Sequence, residues 1–263
     1  MATTTLDDFD LDDLDLDAID LNRLDTDILS FLESEYPGDK IILPPATDVF
    51  AVANWFIEKA DKERRALTLS RLQSLSYLAY GWFLVYSEGT PLFDADIIAT
   101  PQDLIIPVLR RKFRECAGRF INKYAEVFQD DKEEVLRHSI QTSDKRELIE
   151  SILEEVWDAY SRWSWTRLKL FIYRNKSPLG KICDISLELE RFPFCVRLTP
   201  EILRGYFTAL LEEYNYQAEY EESDGEDDEE DGEEDDEEIG EEPCEEGASG
   251  RADGIADTFR GCP

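Results

Sequence analysis

Histidine is almost missing: the 263 residues hold one, His138, and one methionine. The five cysteines, Cys116, Cys183, Cys195, Cys244 and Cys262, are widely spaced and form no CxxC pair. With a single imidazole and no thiol cluster, a tetrahedral zinc site has no ligand set, and the cysteines read as reduced thiols. HExxH, GxGxxG, GxxxxGK followed by Ser or Thr, and GxSxG are all absent. Metalloprotease, nucleotide and acyl-transfer chemistry therefore lack a foothold. No stretch approaches the ~20 consecutive apolar residues of a membrane span. The N-terminus has neither the basic start nor the apolar centre of a secretory signal. These absences together predict a cytoplasmic, non-enzymatic chain with no cofactor, no metal site and no membrane contact.

Basic residues are also missing from two long stretches. Residues 1–39 hold thirteen acids and one base, Arg23, net −12; residues 219–246 hold twenty acids and no base, net −20. Of the total of −33, only −1 falls between Lys40 and Ala218, which carry 26 acids and 25 bases. The predicted organisation is a flexible Leu/Asp-rich acidic arm (1–40), a nearly neutral domain (41–218) and a disordered acidic tail (219–263). Phosphate backbones are bound through clustered Lys and Arg. The basic clusters read here, Lys62–Arg65 and Arg110–Lys112, are short and flanked by acids. Direct nucleic-acid binding is not expected.

Helical spacing fills the middle of the chain. Thr47 is placed as the cap of a first helix with Val49, Val52, Ala53, Phe56 and Ala60 inside. Thr68 caps a second, ending near Gly89 and apolar on nearly every side from Leu72 to Tyr86, hence the buried centre. Pro107 opens a third with Phe113, Ala117, Phe120, Tyr124 and Phe128 on one face. Ser143 opens a fourth through Leu148, Ile152, Val156 and Tyr160, and Ser164 a fifth through Leu168 and Ile172. Residues 175–197, with Pro178, Gly180 and Pro193, read as a loop with a short strand at Cys195–Leu198. Thr199-Pro200 opens a sixth helix, with Ile202, Leu203, Tyr206, Phe207, Leu210 and Leu211 facing in. The fold class is all-α: a compact domain of about six helices with at most a short β element. His138 reads as a polar helix-end residue, and Asp94/Asp96 and Asp130/Asp131 as solvated surface.

Leucine or isoleucine recurs every two to four positions between the aspartates of residues 6–32. Leu11, Leu14, Leu21, Leu24 and Ile28 are the candidate partner-binding residues, forming one apolar helical face when a partner binds. Aspartate repulsion and poor helix propensity predict that this face is not formed alone.

Three segments also carry a family resemblance. Val52–Ala99, with Thr68, Leu72, Gln73, Leu75, Tyr77, Ala79, Gly81, Trp82, Gly89, Pro91, Leu92, Phe93, Ile97 and Ala99 on the pattern, resembles the opening of the Panacea domain family. Val156–Pro178 and Leu198–Leu211 resemble that family's later "YGxLS…SP" and closing "ExIxxYF" stretches, so the likeness covers about residues 46–215. This sequence departs from the pattern at Ser74, over Thr100–Leu109 and at Ile172-Tyr173. The resemblance implies a helical bacterial domain associated with phage and mobile elements. It also implies an antitoxin that neutralises a partner toxin by direct binding, with some members acting as adaptors that deliver a toxin to a protease. The expected partner is a protein, such as a toxin with a basic surface. The alternative is an acidic adaptor, nucleic-acid mimic or chaperone-like protein for a basic partner.

Overall fold

The computed structural model describes residues 26–38, 43–129, 134–140, 144–188 and 195–223. Among them are eight α-helices: α1 Thr26–Glu35, α2 Val49–Lys62, α3 Leu69–Tyr86, α4 Pro107–Lys112, α5 Arg146–Tyr160, α6 Trp165–Ile172, α7 Pro178–Glu188 and α8 Pro200–Ser223. The chain divides into two compact units, Met1–Thr208 and Ala209–Pro263. In the second, the described residues are the continuation of α8.

The centre of the first unit is α3. Thr68 caps it, its side chain accepting from the Arg71 N–H at 3.4 Å. Every residue from Leu72 to Leu84 is buried. The helix stops where Glu88 and Gly89 turn into positive φ, 58° and 94°, a conformation glycine adopts without penalty. Around α3 pack α2, α4, α5, α6 and the strand β2. The approach is closest at Gly81: a Cβ there would lie 2.1 Å from the Phe207 ring. Phe207 in turn makes edge contacts with Tyr77 and Trp82 at 5.7 and 5.3 Å. The buried Gln73 carboxamide accepts the Ile106 N–H at 2.8 Å, satisfying the backbone at the start of α4.

The β structure is small. Strand β1 (Ile98–Ala99) lies between β2 (Leu104–Ile105) and β5 (Val196–Arg197), all antiparallel, with Ile98 opposite both Ile105 and Arg197. A separate hairpin pairs β3 (Glu126–Gln129) with β4 (Glu134–Arg137), Glu126 opposite Arg137.

Several boundaries differ from the sequence expectation. The cap of α2 is Asp48, whose carboxylate accepts from the Phe50 N–H; Thr47 lies one residue earlier. The third helix ends at Lys112, where Phe113 leaves helical geometry and a 3-10 turn, Arg114–Cys116, follows; beyond it Gly118 takes φ +66°, so the helix does not resume. The remaining apolar residues of that supposed face diverge: Phe120 is 64% exposed, and Phe128 belongs to β3. Ser143 lies outside the described residues; α5 begins at Arg146 and buries Ile149 rather than Leu148. The supposed loop contains α7. Pro178 and Gly180 sit in its first turn, where proline costs no hydrogen bond, and Ser177 supplies a hydroxyl to the Gly180 N–H at 3.0 Å. The short strand and the Thr199-Pro200 helix start appear where expected.

Candidate interaction surface

Leu11, Leu14, Leu21 and Leu24 lie outside the described residues. Ile28 lies on α1, and its side chain is 4% exposed, so it packs inside its own chain rather than standing open to a partner. The reason is local. Ile28, Leu32 and Tyr36 follow one another at steps of four, and all three are buried. The Tyr36 hydroxyl donates to the Lys176 carbonyl at 2.6 Å, and Glu35 pairs with Lys181 at 3.3 Å. Burial, then the neighbouring Tyr206 and Glu35, push the Tyr36 phenol well above its usual range. The end of the expected arm is thus a helix fastened beside the α6–α7 connection.

The fourteen residues that carry the family-like pattern between Thr68 and Ala99 serve the scaffold. Thirteen are buried, and the fourteenth, Thr68, is a helix cap. Gly81 and Gly89 supply a close approach and a positive φ, and Gln73 a backbone hydrogen bond. Their exactness of type reflects packing, not chemistry.

His138 is not at a helix end. It follows β4, pairs through Nδ1 with the Asp48 carboxylate and lies 5.1 Å from the Phe50 ring. Its backbone carbonyl accepts from Asn54 Nδ2 at 2.9 Å. Asn54 is buried and also grips Ala125 twice, donating to its carbonyl at 2.8 Å and accepting its N–H at 2.7 Å. That amide ties both strands of the hairpin to α2. A cleft of about 630 Å³ opens beside it, lined by Ala46, Thr47, Asp48 and Leu136–Ser139. Among the described residues, no three His, Cys, Asp or Glu side chains come together as a metal site. No described helix is long and apolar enough to cross a membrane.

The feature that sequence reading missed is the α6 surface. Between Asp158 and Asp184 there are six bases and no acid: Arg162, Arg167, Lys169, Arg174, Lys176 and Lys181. That signal was readable as a charge run, but the bases are spaced singly among aromatics and escape a search for adjacent Lys and Arg. Ser164 caps α6 through the Arg167 N–H at 3.2 Å. Leu168 and Ile172 point inward, while Trp165 is 40% and Leu170 69% exposed. Arg167 and Leu170 are three positions apart, about 60° around the helix axis, while Arg174 lies past the end of α6, after the cap residue Tyr173.

Beneath this side lies a rigid aromatic base. Tyr160, Trp163 and Phe171 contact one another at 5.0 to 5.5 Å between ring centres. The Arg167 guanidinium lies 4.1 Å above Trp163, and Arg174 lies 5.3 Å above Phe171. Arg71 donates to the Trp163 carbonyl from below; burial, then the nearby Arg65, hold its pKa down. At the other flank Tyr173 donates to the Thr100 carbonyl at 3.2 Å. Burial, then the Asp103 carboxylate, push its phenol up. Burial likewise raises Asp103, against its bond from the Leu104 N–H and the attraction of Arg110 and Lys169. The arrangement exposes Trp165 and Arg167, residue types that anchor protein contacts, together with Leu170. No family model, no curated protein and no solved structure matches this chain.

Proposed function

We propose that the chain is a non-catalytic protein-binding module of the antitoxin type, which neutralises a partner toxin by direct binding in the cytoplasm. One observation carries the reading: the Thr68–Ala99 residues that carry the opening of the resemblance are buried scaffold or a helix cap, whereas the exposed apolar side chains of Phe120, Leu136 and Leu187 lie outside all three resembling segments. A shared core with a private surface suits proteins that hold one architecture and choose different partners. The acidic arms add long-range attraction for a basic partner. An acidic adaptor, nucleic-acid mimic or chaperone for a basic protein is the second reading, favoured by the net charge of −33.

The test is co-expression with the product of an adjacent gene that arrests growth when expressed alone. Restored growth, with a stoichiometric complex on size exclusion, supports the antitoxin reading. Continued arrest, or rescue without a complex, removes it.

A further inference from the structure

We propose that the α6 surface is the docking site for the chain's own N-terminal Leu/Asp segment, residues 6–24. The docking rests on the surface geometry, and its use as a regulator rests on the binding function proposed above. Any partner that takes the Leu/Asp segment must then displace it from α6, so the free protein holds its own binding element in reserve.

Three observations select this occupant. The first is charge. Residues 1–25 carry nine acids and one base, net −8, while residues 159–183 carry six bases and no acid. The second is the alternation of apolar and charged groups on both sides. Leu11, Leu14, Leu21 and Leu24 are set among aspartates. Leu170 and Trp165 are exposed on α6, which also carries Arg167 and is flanked in the chain by Arg162 and, past its end, by Arg174, which donates to the Tyr206 hydroxyl. Leucines on a neutral partner would ignore the arginines, and a plain polyanion would leave Leu170 and Trp165 in water. The third is reach. The segment enters the fold through α1, which is fastened to the α6–α7 connection by Tyr36 to Lys176 and by Glu35 to Lys181. The ten residues of α1 span about 15 Å at 1.5 Å each. A 25-residue chain extends to about 80 Å. The segment therefore leaves the fold about one α1 length from this connection and is long enough to reach α6, which makes the docking intramolecular.

Two nearby acids already have basic partners. Glu35 is held by Lys181, and Asp103 interacts with Arg110 and Lys169. Asp158 is attracted by Arg162; burial, then Glu154, raise its pKa. Arg167 is stacked on Trp163 and its residue is exposed. It is therefore the base chosen for reversal.

The experiment is hydrogen–deuterium exchange on the full chain alone, without any toxin. At low salt, amides of residues 6–24 should exchange about tenfold more slowly than in a synthetic peptide of the same residues, a factor worth ~1.4 kcal/mol. The protection should vanish in 0.5 M salt. It should also vanish in R162E/R167E and fall in Leu170→Ser, but persist in a control reversal on another basic stretch, R64E. Circular dichroism and the thermal midpoint identify variants that fail to fold; Leu170→Ser, which touches no core group, keeps the test open if R162E/R167E does. Peptide-like exchange at low salt overturns the proposal. So does protection indifferent to both α6 variants, or protection that disappears on dilution, which would mean a second copy as the occupant. Protection of residues 219–246 in place of 6–24 overturns it as well. Because no toxin is present, failure here leaves the antitoxin reading standing, and failure of growth rescue leaves the docking standing.

Discussion

Helices α3 and α6 are both rich in leucine and aromatic residues, yet one hides them and the other displays them. In α3 no face is polar enough to meet water, so thirteen consecutive residues are buried and neighbours close on every side. In α6 a two-residue stripe, Leu168 and Ile172, faces in, and the next apolar position, Leu170, faces out between bases. An apolar side chain inside a closed ring of helices stabilises the fold. The same side chain among exposed guanidiniums contributes little to stability and is available for contact. Substitutions in the two helices should therefore separate into those that unfold the protein and those that leave it folded.

The largest effect is expected at Gly81. A valine there puts its branch into the Phe207 ring, 2.1 to 2.3 Å from the Cβ position, and the ring is fully buried. Gly81→Val should cost about 3 kcal/mol or more, read as a collapse of the denaturation midpoint followed by circular dichroism. A wild-type midpoint would mean that the α3 surroundings can yield, and the contrast with α6 would fail.

Asn54 comes next. Asn54→Ala leaves the Ala125 N–H and the His138 carbonyl without this partner and the Ala125 carbonyl with only the His138 N–H, and should cost about 2–3 kcal/mol in the same measurement. Hydrogen exchange at the hairpin should rise more than in α3. Equal rises in both would show that the hairpin is not a separately tethered element.

Tyr77 reverses the sign. Its ring packs on Phe207, but its hydroxyl is buried with no hydrogen-bond partner among the described residues, and burial drives its pKa well above the phenol range. Tyr77→Phe keeps the ring and removes the stranded hydroxyl, so stability should rise by about 1 kcal/mol. A loss of similar size would mean that the hydroxyl is satisfied in solution.

These sites also divide what the sequence made legible from what it did not. The period of α3, its Thr68 cap and the Gly89 stop were readable, because local chemistry alone determines them. The Asn54 grip was not, since it joins residues 71 positions apart, and no local pattern announces a side-chain to backbone contact of that separation. The continuation of the third helix failed because Phe113, Ala117 and Phe120 mimic helical spacing across a glycine that takes positive φ. The burial of Ile28 was missed because the acidic count of the arm outweighed its four-residue spacing with Leu32 and Tyr36. The α6 surface was overlooked for a related reason: its charge is visible only as an absence of acids over 25 residues, not as a cluster.

The smallest effect on stability, and the most informative, is expected from Leu170→Ser. Leu170 stands two positions from Leu168, about 200° away around the helix, and the two differ from 69% to 0% exposed. A serine at Leu168 removes buried apolar surface and strands a hydroxyl, which should cost about 2–4 kcal/mol. A serine at Leu170 removes a side chain that is mostly in water, and should shift stability by less than about 0.5 kcal/mol. Helix propensity contributes little to the difference, since both changes replace the same residue in the same helix. If Leu170 is an anchor, a partner that uses this surface should bind the Leu170→Ser variant about tenfold more weakly, by titration calorimetry, while the melting curve is unchanged. Equal losses of stability from the two serines would place α6 among the buried helices. Equal binding with an intact fold would leave Leu170 an incidental exposed leucine, and would move the search for contacts to Leu187 on α7, which is also 69% exposed.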